Sequence, residues 1–137
     1  MTTSLGRYQV IDAQKKTAKL VSVKNKKATK MNIPNTVKIN GVTCTVAEVG
    51  AKIMKGNTKL TKVTLGKNVT TIGKQAFYGC KKLKTITIKS KVFKKVGSKA
   101  FKGIHEKAKI KVPKAKLSKY KKVLKGKGQV KSVKITA

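Results

Sequence analysis

Apolar and polar residues alternate along a stretch of sequence that occurs twice between residues 59 and 104. In the first copy, Val63 and Leu65 alternate with lysine and threonine. In the second copy, Ile86 and Ile88 do the same. Alternation with a period of two is typical of a strand that buries one face and exposes the other. The pattern therefore predicts the same short strand in both copies.

The two copies align over nearly their whole length. Equivalent residues are 23 apart at first and 24 apart later, which indicates one inserted residue near Phe93. The matched pairs are Leu60 with Leu83, Val63 with Ile86, Leu65 with Ile88, Val69 with Val92, Ile72 with Val96, Gly73 with Gly97, Ala76–Phe77 with Ala100–Phe101, and Gly79 with Gly103. Such a period is typical of a solenoid, whose units bury their apolar faces against their neighbours.

A glycine and a short segment follow each strand and predict how the chain returns. Gly73 allows the backbone to turn. The run Lys74–Tyr78 then predicts a single helical turn with Phe77 facing inward. Gly79 suits the left-handed residue that ends such a turn. Each unit is therefore predicted to contain a strand, a turn, one helical turn and a return.

A weaker copy precedes the two strong ones. Residues 48–57 repeat the second half of the unit, with Ile53–Met54 in place of Ala–Phe. The matching strand is predicted around Met31, and Val37 is expected to take the place of Val69. The chain therefore has three predicted units before its last strand.

The repeats are interrupted once and end at a proline. About nine residues, 38–46, are inserted in the first unit, and Asn40-Gly41 at their centre is a strong signal for a two-residue hairpin turn. Ile110 and Val112 predict the strand of a last unit, which Pro113 stops.

The N-terminal end of the chain is predicted to form a cover for the repeats. Residues 1–6 are small and polar, which indicates a disordered or vector-derived start without the apolar core of a signal peptide. Residues 7–30 predict a β-hairpin with Tyr8 and Val10 on its first strand. The terminal units of a solenoid need such a cover, so this hairpin is interpreted as an N-terminal cap.

The C-terminal residues 114–137 are interpreted as a second cap. Apolar residues fall at helical spacing within Lys114–Lys125, and Gly126 suits the position just past a helix end. The apolar positions of this predicted helix are Leu117, Tyr120, Val123 and Leu124. Val130, Val133 and Ile135 then predict a closing strand.

One known family shows this order of residues. The pattern Leu-x-x-Val-x-Leu, followed by Val-x-x-Ile-Gly-x-x-Ala-Phe-x-Gly-Cys, resembles the BspA-like leucine-rich-repeat proteins of bacterial cell surfaces, over about Met31–Val112. The Asn-Gly hairpin and the lysine-rich tail are similar to members from Gram-positive gut bacteria. The resemblance implies an α/β, mostly β, fold: a short right-handed leucine-rich-repeat solenoid over residues 31–113. It also implies no catalysis, a location at the cell surface or outside the cell, and adhesion or surface binding.

Charge narrows the range of partners. The chain has 36 Lys and Arg residues and only Asp12, Glu48 and Glu106 as acidic ones, for a net charge of +33. Such an excess attracts polyanions. Arg7 is the sole arginine, and specific nucleic-acid recognition favours the arginine fork, so nucleic acid is expected to bind only nonspecifically. The lysines suit an anionic wall polymer or glycan, or they merely solubilise the array and protect its edges.

The outward positions beside the buried strand residues are the candidate binding residues. They are Lys30, Asn32, Lys62, Thr64, Thr85, Thr87, Lys109 and Lys111. Two adjacent columns of ammonium, hydroxyl and amide groups are predicted, suited to a host protein, a glycan or an anionic wall polymer. The alternatives are ordinary solvated strand residues, a nucleic-acid-associated basic protein or a purely structural spacer.

The remaining residues do not indicate catalysis, a metal or a cofactor. The three carboxylates lie in different segments, and His105, the sole histidine, falls in a predicted turn. Cys44 and Cys80 match no zinc motif and are expected to be buried free thiols rather than a disulfide pair. No apolar run is long enough for membrane insertion. The chain is expected to be a monomer or part of a larger chain.

Overall fold

A computed structural model describes residues 6–137 as strands stacked in two sheets, with one α-helix. The strands are β1 (Gly6–Asp12), β2 (Thr17–Val23), β3 (Lys30–Asn32), β4 (Thr36–Ile39), β5 (Val42–Val49), β6 (Lys62–Leu65), β7 (Thr71–Ile72), β8 (Thr85–Ile88), β9 (Lys95–Val96), β10 (Lys109–Lys111) and β11 (Lys134–Thr136). A 3-10 turn, Lys114–Lys116, precedes helix α1 (Leu117–Leu124). Of the start predicted to be disordered, residues 1–5 lie outside the described residues and Gly6 opens β1.

The five-stranded sheet, which we call the second sheet, confirms the predicted repeat. Its strands follow the order β11-β10-β8-β6-β3, and the neighbouring strands are parallel. Val63 pairs with Ile86, and Leu65 with Ile88. One apolar column crosses all five strands: Met31, Val63, Ile86 and Ile110 are buried, and Ile135 at its end is partly buried. The solenoid is therefore one strand longer than the repeats in the sequence suggested.

The six-stranded sheet, which we call the first sheet, runs beside the second sheet. It contains the other strand of each turn of the solenoid. Its order is β1-β2-β5-β7-β9, with β4 paired to β5. Leu20, Val49, Ile72 and Val96 form its buried column. β1 and β2 are antiparallel, and β2 also pairs in parallel with β5. Strand β2 is therefore part of the solenoid, each turn of which we call a rung. That this hairpin caps the core stays a prediction.

The predicted match between Val69 and Val92 is wrong. Val92 is 55% exposed, whereas Phe93 is buried like Val69. The first sheet pairs Thr71 with Lys95, which places Phe93 opposite Val69. The extra residue therefore enters before Phe93. An insertion in the bend after β8 leaves both sheets in register.

Val46, and not Val37 as predicted, is the residue equivalent to Val69. β5 pairs with β7 at an offset that sets Val46 beside Val69, and Val46 is fully buried. Val37 instead lies on β4 and is only partly buried. The predicted hairpin turn is present, and Asn40 and Gly41 have φ values of 51° and 79°. The inserted residues therefore precede Val46.

The predicted helical turn at Lys74–Tyr78 is wrong. Gln75 has a left-handed φ of 55°, so these residues form tight turns. The Phe77 N–H donates to Ala100 O of the next rung at 2.9 Å, while the Tyr78 N–H donates locally to Gln75 O at 3.2 Å. Bonding between rungs satisfies backbone groups that a helix would have satisfied internally. The same arrangement still places Phe77 inward.

Aromatic side chains connect the rungs at the centre and at the C-terminal end. The parallel rings of Phe77 and Phe101 lie 6.1 Å apart between centroids. Tyr120 of α1 packs edge-on against Phe93 at 5.5 Å. Its hydroxyl donates to Ser90 O at 2.7 Å and accepts from the Phe93 N–H at 3.1 Å. These buried hydrogen bonds fix α1 on the last repeat.

The C-terminal segment differs from its predicted form. Helix α1 is shorter than Lys114–Lys125, because its first residues form the 3-10 turn. Val130 is 54% exposed and lies outside the closing strand, contrary to the prediction. Strand β11 pairs in parallel with β10.

Both cysteines are buried and free. Cys80 occupies the inward position that Asn57 and Ile104 take in the neighbouring rungs. Its thiol donates to Met54 O at 3.1 Å. Burial raises the pKa of the Cys80 thiol from 9.0 to about 12, and the backbone amide of Asn57 partly opposes this change.

This raised pKa predicts a specific loss of stability in alkali. Below pH 9 the thiol is protonated in both the folded and the unfolded chain. Above pH 9 only the unfolded chain releases the proton, so the free energy of unfolding falls towards pH 12 by at most about 1.4 kcal/mol per pH unit. Urea unfolding from pH 7 to 11 is expected to show wild type losing its stability advantage over Cys80→Ala. Lysine deprotonation occurs in both proteins, so a constant difference would contradict the prediction.

Candidate binding face

The eight candidate residues lie in two rows across the second sheet. Strand pairing aligns Lys30 with Lys62, Lys62 with Thr85, and Thr85 with Lys109. The same pairing makes the second row, which consists of Asn32, Thr64, Thr87 and Lys111. We call these two rows the polar face. The structure thus brings together all eight residues on one sheet, whereas their binding role stays a prediction.

The buried column beneath the polar face holds the rows in place. Val63 and Ile86 are fully buried between the outward residues of their strands. The lysines of the face are exposed, and the three threonines are half-buried. Neighbouring strands lie about 4.8 Å apart, so side chains in one row repeat at that spacing. The face therefore presents ammonium and hydroxyl groups at a regular spacing from strand to strand.

Strand β11 adds two residues that the sequence did not assign to the face. Lys134 pairs with Lys109, and Thr136 pairs with Lys111. The sequence signal was Ile135 between polar neighbours, which matches Ile110 on β10. With these residues the first row has four lysines, arranged as two adjacent pairs with Thr85 between them.

Small clefts adjoin the polar face. One cleft of about 240 Å³ includes Asn32 and Thr64 together with Lys67 and Lys89. It is shaped by Asn35, whose side-chain carbonyl accepts the Lys67 N–H at 2.7 Å. Sequence reasoning missed this cleft because Asn35, Lys67 and Lys89 come from bends, where periodicity carries no information.

A second cleft lies at the other end of the strands. It has a volume of about 300 Å³ and includes Lys109 and Lys134 of the face with Glu106 and Ser132. Glu106 is the acidic residue of this cleft, so its carboxylate reduces the positive potential there. The two rows of the polar face themselves contain no acidic residue.

The described residues do not gather the groups that metal binding or acid–base chemistry needs. Within residues 6–137, no three His, Cys, Asp or Glu side chains are grouped as a metal site requires. The His105 Nδ1 accepts the Lys107 N–H at 3.0 Å, and Asp12 accepts the N–H groups of Gln14 and Lys15. Both side chains therefore stabilise local turns. None of the helices in this part of the chain has the length and apolarity to cross a bilayer.

A family model matches two thirds of the chain. The model describes a "BspA type leucine rich repeat region (6 copies)", and the match covers residues 47–137. It includes the two strong sequence repeats, the C-terminal helix and β11. No curated protein matches the chain.

Solved structures of bacterial leucine-rich-repeat proteins share the fold. A leucine-rich cell surface protein from Faecalibacterium prausnitzii A2-165 is 26% identical, with a TM-score of 0.64 over 83% of this chain. A leucine-rich repeat protein from Bacteroides ovatus is 21% identical, with a TM-score of 0.61 over 84%. A T. pallidum leucine-rich repeat protein is 20% identical, with a TM-score of 0.52 over 84%. The match spans 37%, 38% and 66% of these chains, respectively.

Proposed function

The chain belongs to the BspA-type leucine-rich repeat family, a repeat module usually used for protein binding, and on this premise we propose that it is a non-catalytic binding domain at the bacterial cell surface. The relative from Faecalibacterium prausnitzii is described as a cell surface protein, which supports that location. The family and its fold are typically non-catalytic. Adhesion to a host protein, a glycan or an anionic wall polymer is the proposed role.

The polar face supports an anionic polymer as the preferred ligand. Lys30 and Lys62 stand side by side, as do Lys109 and Lys134, and threonine hydroxyls lie between the pairs. A polymer laid across the strands would place successive anionic groups near successive ammonium groups. Contact with fixed charges releases the counterions of such a polymer, and this release drives binding without geometric specificity. Threonine hydroxyls and the Asn32 amide supply hydrogen bonds suited to sugars.

Nucleic acid is a less suitable ligand for the same surface. Lysine presents a point charge, whereas base and phosphate recognition exploit the planar fork of arginine. Phe77, Phe93 and Phe101 are buried, so they are not available to stack on bases. Binding of DNA or RNA is therefore proposed to be nonspecific.

Neutralising three lysines of the polar face is expected to weaken polyanion binding. A triple variant combines Lys62→Gln, Lys109→Gln and Lys111→Gln. Its affinity for a sulfated glycan at physiological salt should fall about tenfold, because each lost cation removes one counterion-releasing contact. The matched control neutralises Lys114, Lys119 and Lys122, which are also exposed and lie on the C-terminal segment, and should lose about twofold. Isothermal titration on both variants provides the measurement. Equal losses would contradict a localised site and leave only diffuse charge.

A further inference from the structure

A groove between the C-terminal segment and β11 has an apolar floor and a basic rim. Its volume is about 670 Å³. Val130, Val133 and Ile135 contribute the apolar surface, and Val130 is 54% exposed. Four lysines line the same groove: Lys121, Lys125, Lys131 and Lys134. The combination differs from the polar face, where the exposed groups are all polar.

Strand β11 presents its outer edge beside this groove. Lys134 donates its N–H to Ala108 O at 3.1 Å, and Thr136 O accepts the Val112 N–H at 2.8 Å. Residues 134 and 136 therefore direct their backbone groups towards β10. Because these directions alternate along a strand, the N–H and C=O of Ile135 point away from β10. Among the described strands, β11 is the last of its sheet, so this edge can accept another strand.

Local hydrogen bonds order the loop 125–129, which lines one side of the groove. Gln129 donates its side-chain amide to Leu124 O at 2.7 Å and accepts the Lys127 N–H at 3.1 Å. Gly126 and Gly128 have φ values of 70° and 96°, which only glycine adopts readily. The loop is thus folded onto the end of α1, so little ordering would accompany binding.

We propose that this groove binds an extended acidic segment of a partner protein, which adds to β11 as a sixth strand. The partner backbone bonds to the N–H and C=O of Ile135, in the mode of β-strand addition. One of its apolar side chains covers Val130 and Ile135, continuing the buried column. Acidic side chains on either side meet the lysine rim.

The net charge selects this occupant. A second copy of the chain would carry the same net charge of +33 and would be repelled, whereas an acidic segment is attracted to the lysine rim. A bare polyanion would satisfy the rim but would leave the apolar floor exposed. The proposed occupant therefore needs alternating acidic and apolar residues. This site adjoins the polar face and shares Lys134 with its extended first row, but the residues changed in the two tests differ, so the two proposals are tested independently.

A synthetic nine-residue peptide of alternating glutamate and valine is the probe. Fluorescence anisotropy at physiological salt is expected to show binding by the intact chain. Methylating the central backbone amides of the peptide keeps its charge and side chains but removes edge hydrogen bonds. Affinity for the methylated peptide should fall by at least about tenfold, the loss expected when a backbone pairing site is blocked.

Paired variants separate the groove from general charge. Val130→Glu places an acidic group on the apolar floor, and Val92→Glu makes the same change at a position of equal exposure, 55% against 54%, outside the groove. Val130→Glu should lose at least about tenfold in peptide affinity and Val92→Glu about twofold or less, since the centre of a contact carries most of its energy. The melting temperatures of both variants should match wild type.

Three results would overturn the proposal. They are equal binding of the methylated peptide, equal losses in the two valine variants, and a dimer by sedimentation whose interface Val130→Glu disrupts. Glycan binding by the polar-face triple variant is read separately. If the triple variant loses glycan binding but still binds the peptide, both sites are supported. If only the peptide experiment fails, this proposal is overturned and the proposed function stands.

Discussion

Replacing Phe77 by alanine is expected to destabilise the protein by about 3–5 kcal/mol, the usual range for a buried aromatic side chain. The Phe77 ring is fully buried and stacks on the Phe101 ring of the next rung. Alanine would leave a cavity between the rungs. Urea denaturation followed by circular dichroism measures the change. Because small domains have about 5–15 kcal/mol of stability, the loss should be large.

Val92→Ala provides the control for the Phe77 variant. Val92 is 55% exposed, so its truncation should change the free energy of unfolding by about 0.5 kcal/mol or less. An unchanged denaturation midpoint in Phe77→Ala would contradict the inward position of this ring.

Adding one methyl group at Gly97 is expected to destabilise the protein by about 3 kcal/mol, at the upper end of the overpacking range. A Cβ at this position would lie 2.3 Å from Lys74 N and 2.7 Å from Gly73 C. Both are backbone atoms of the neighbouring rung, so a rotamer change cannot relieve the collision. The rungs themselves must separate. Thermal and urea unfolding of Gly97→Ala test this expectation.

Gly41→Ala is the matched control for the steric effect. Gly41 has a left-handed φ of 79°, and a Cβ there would meet no atom within 4 Å. This variant should therefore lose only the conformational cost of a left-handed alanine, about 1 kcal/mol. If Gly97→Ala proves no more costly than Gly41→Ala, the close stacking of rungs is contradicted.

The reason for the repeated glycine differs from the one that the sequence suggested. Gly73 and Gly97 were expected to supply a turn, but it is Gly79 and Gly103 that have left-handed φ values, 78° and 84°. The glycine after each short strand instead lets successive backbones approach closely. A sequence shows that glycine recurs, but only the contacts between rungs distinguish these two causes.

The buried columns were predictable because each rung repeats the same short pattern. Val63 and Ile86 stand between polar neighbours in both copies, which determines their face and their pairing. Where the pattern loosens, prediction failed. Val92 and Phe93 are both apolar, so the sequence did not show which of them was inserted. Val37 and Val46 posed the same problem on either side of the hairpin.

The polar face was predictable from the same alternation, since residues beside a buried strand position face outward. Lys134 and Thr136 were missed because β11 follows a helix and does not carry the full repeat. The groove beside β11 was missed for another reason. Val130 was read as a strand residue, and only the positions of α1 and β11 show that it faces solvent.

The most direct test of the stacked rungs is a double-mutant cycle on Phe77 and Phe101. The variants Phe77→Leu and Phe101→Leu and their combination are compared with wild type by urea denaturation. Parallel rings 6.1 Å apart predict a coupling free energy of about 0.5–1.5 kcal/mol. Additivity of the two single losses, to within about 0.3 kcal/mol, would contradict direct stacking of the two rungs.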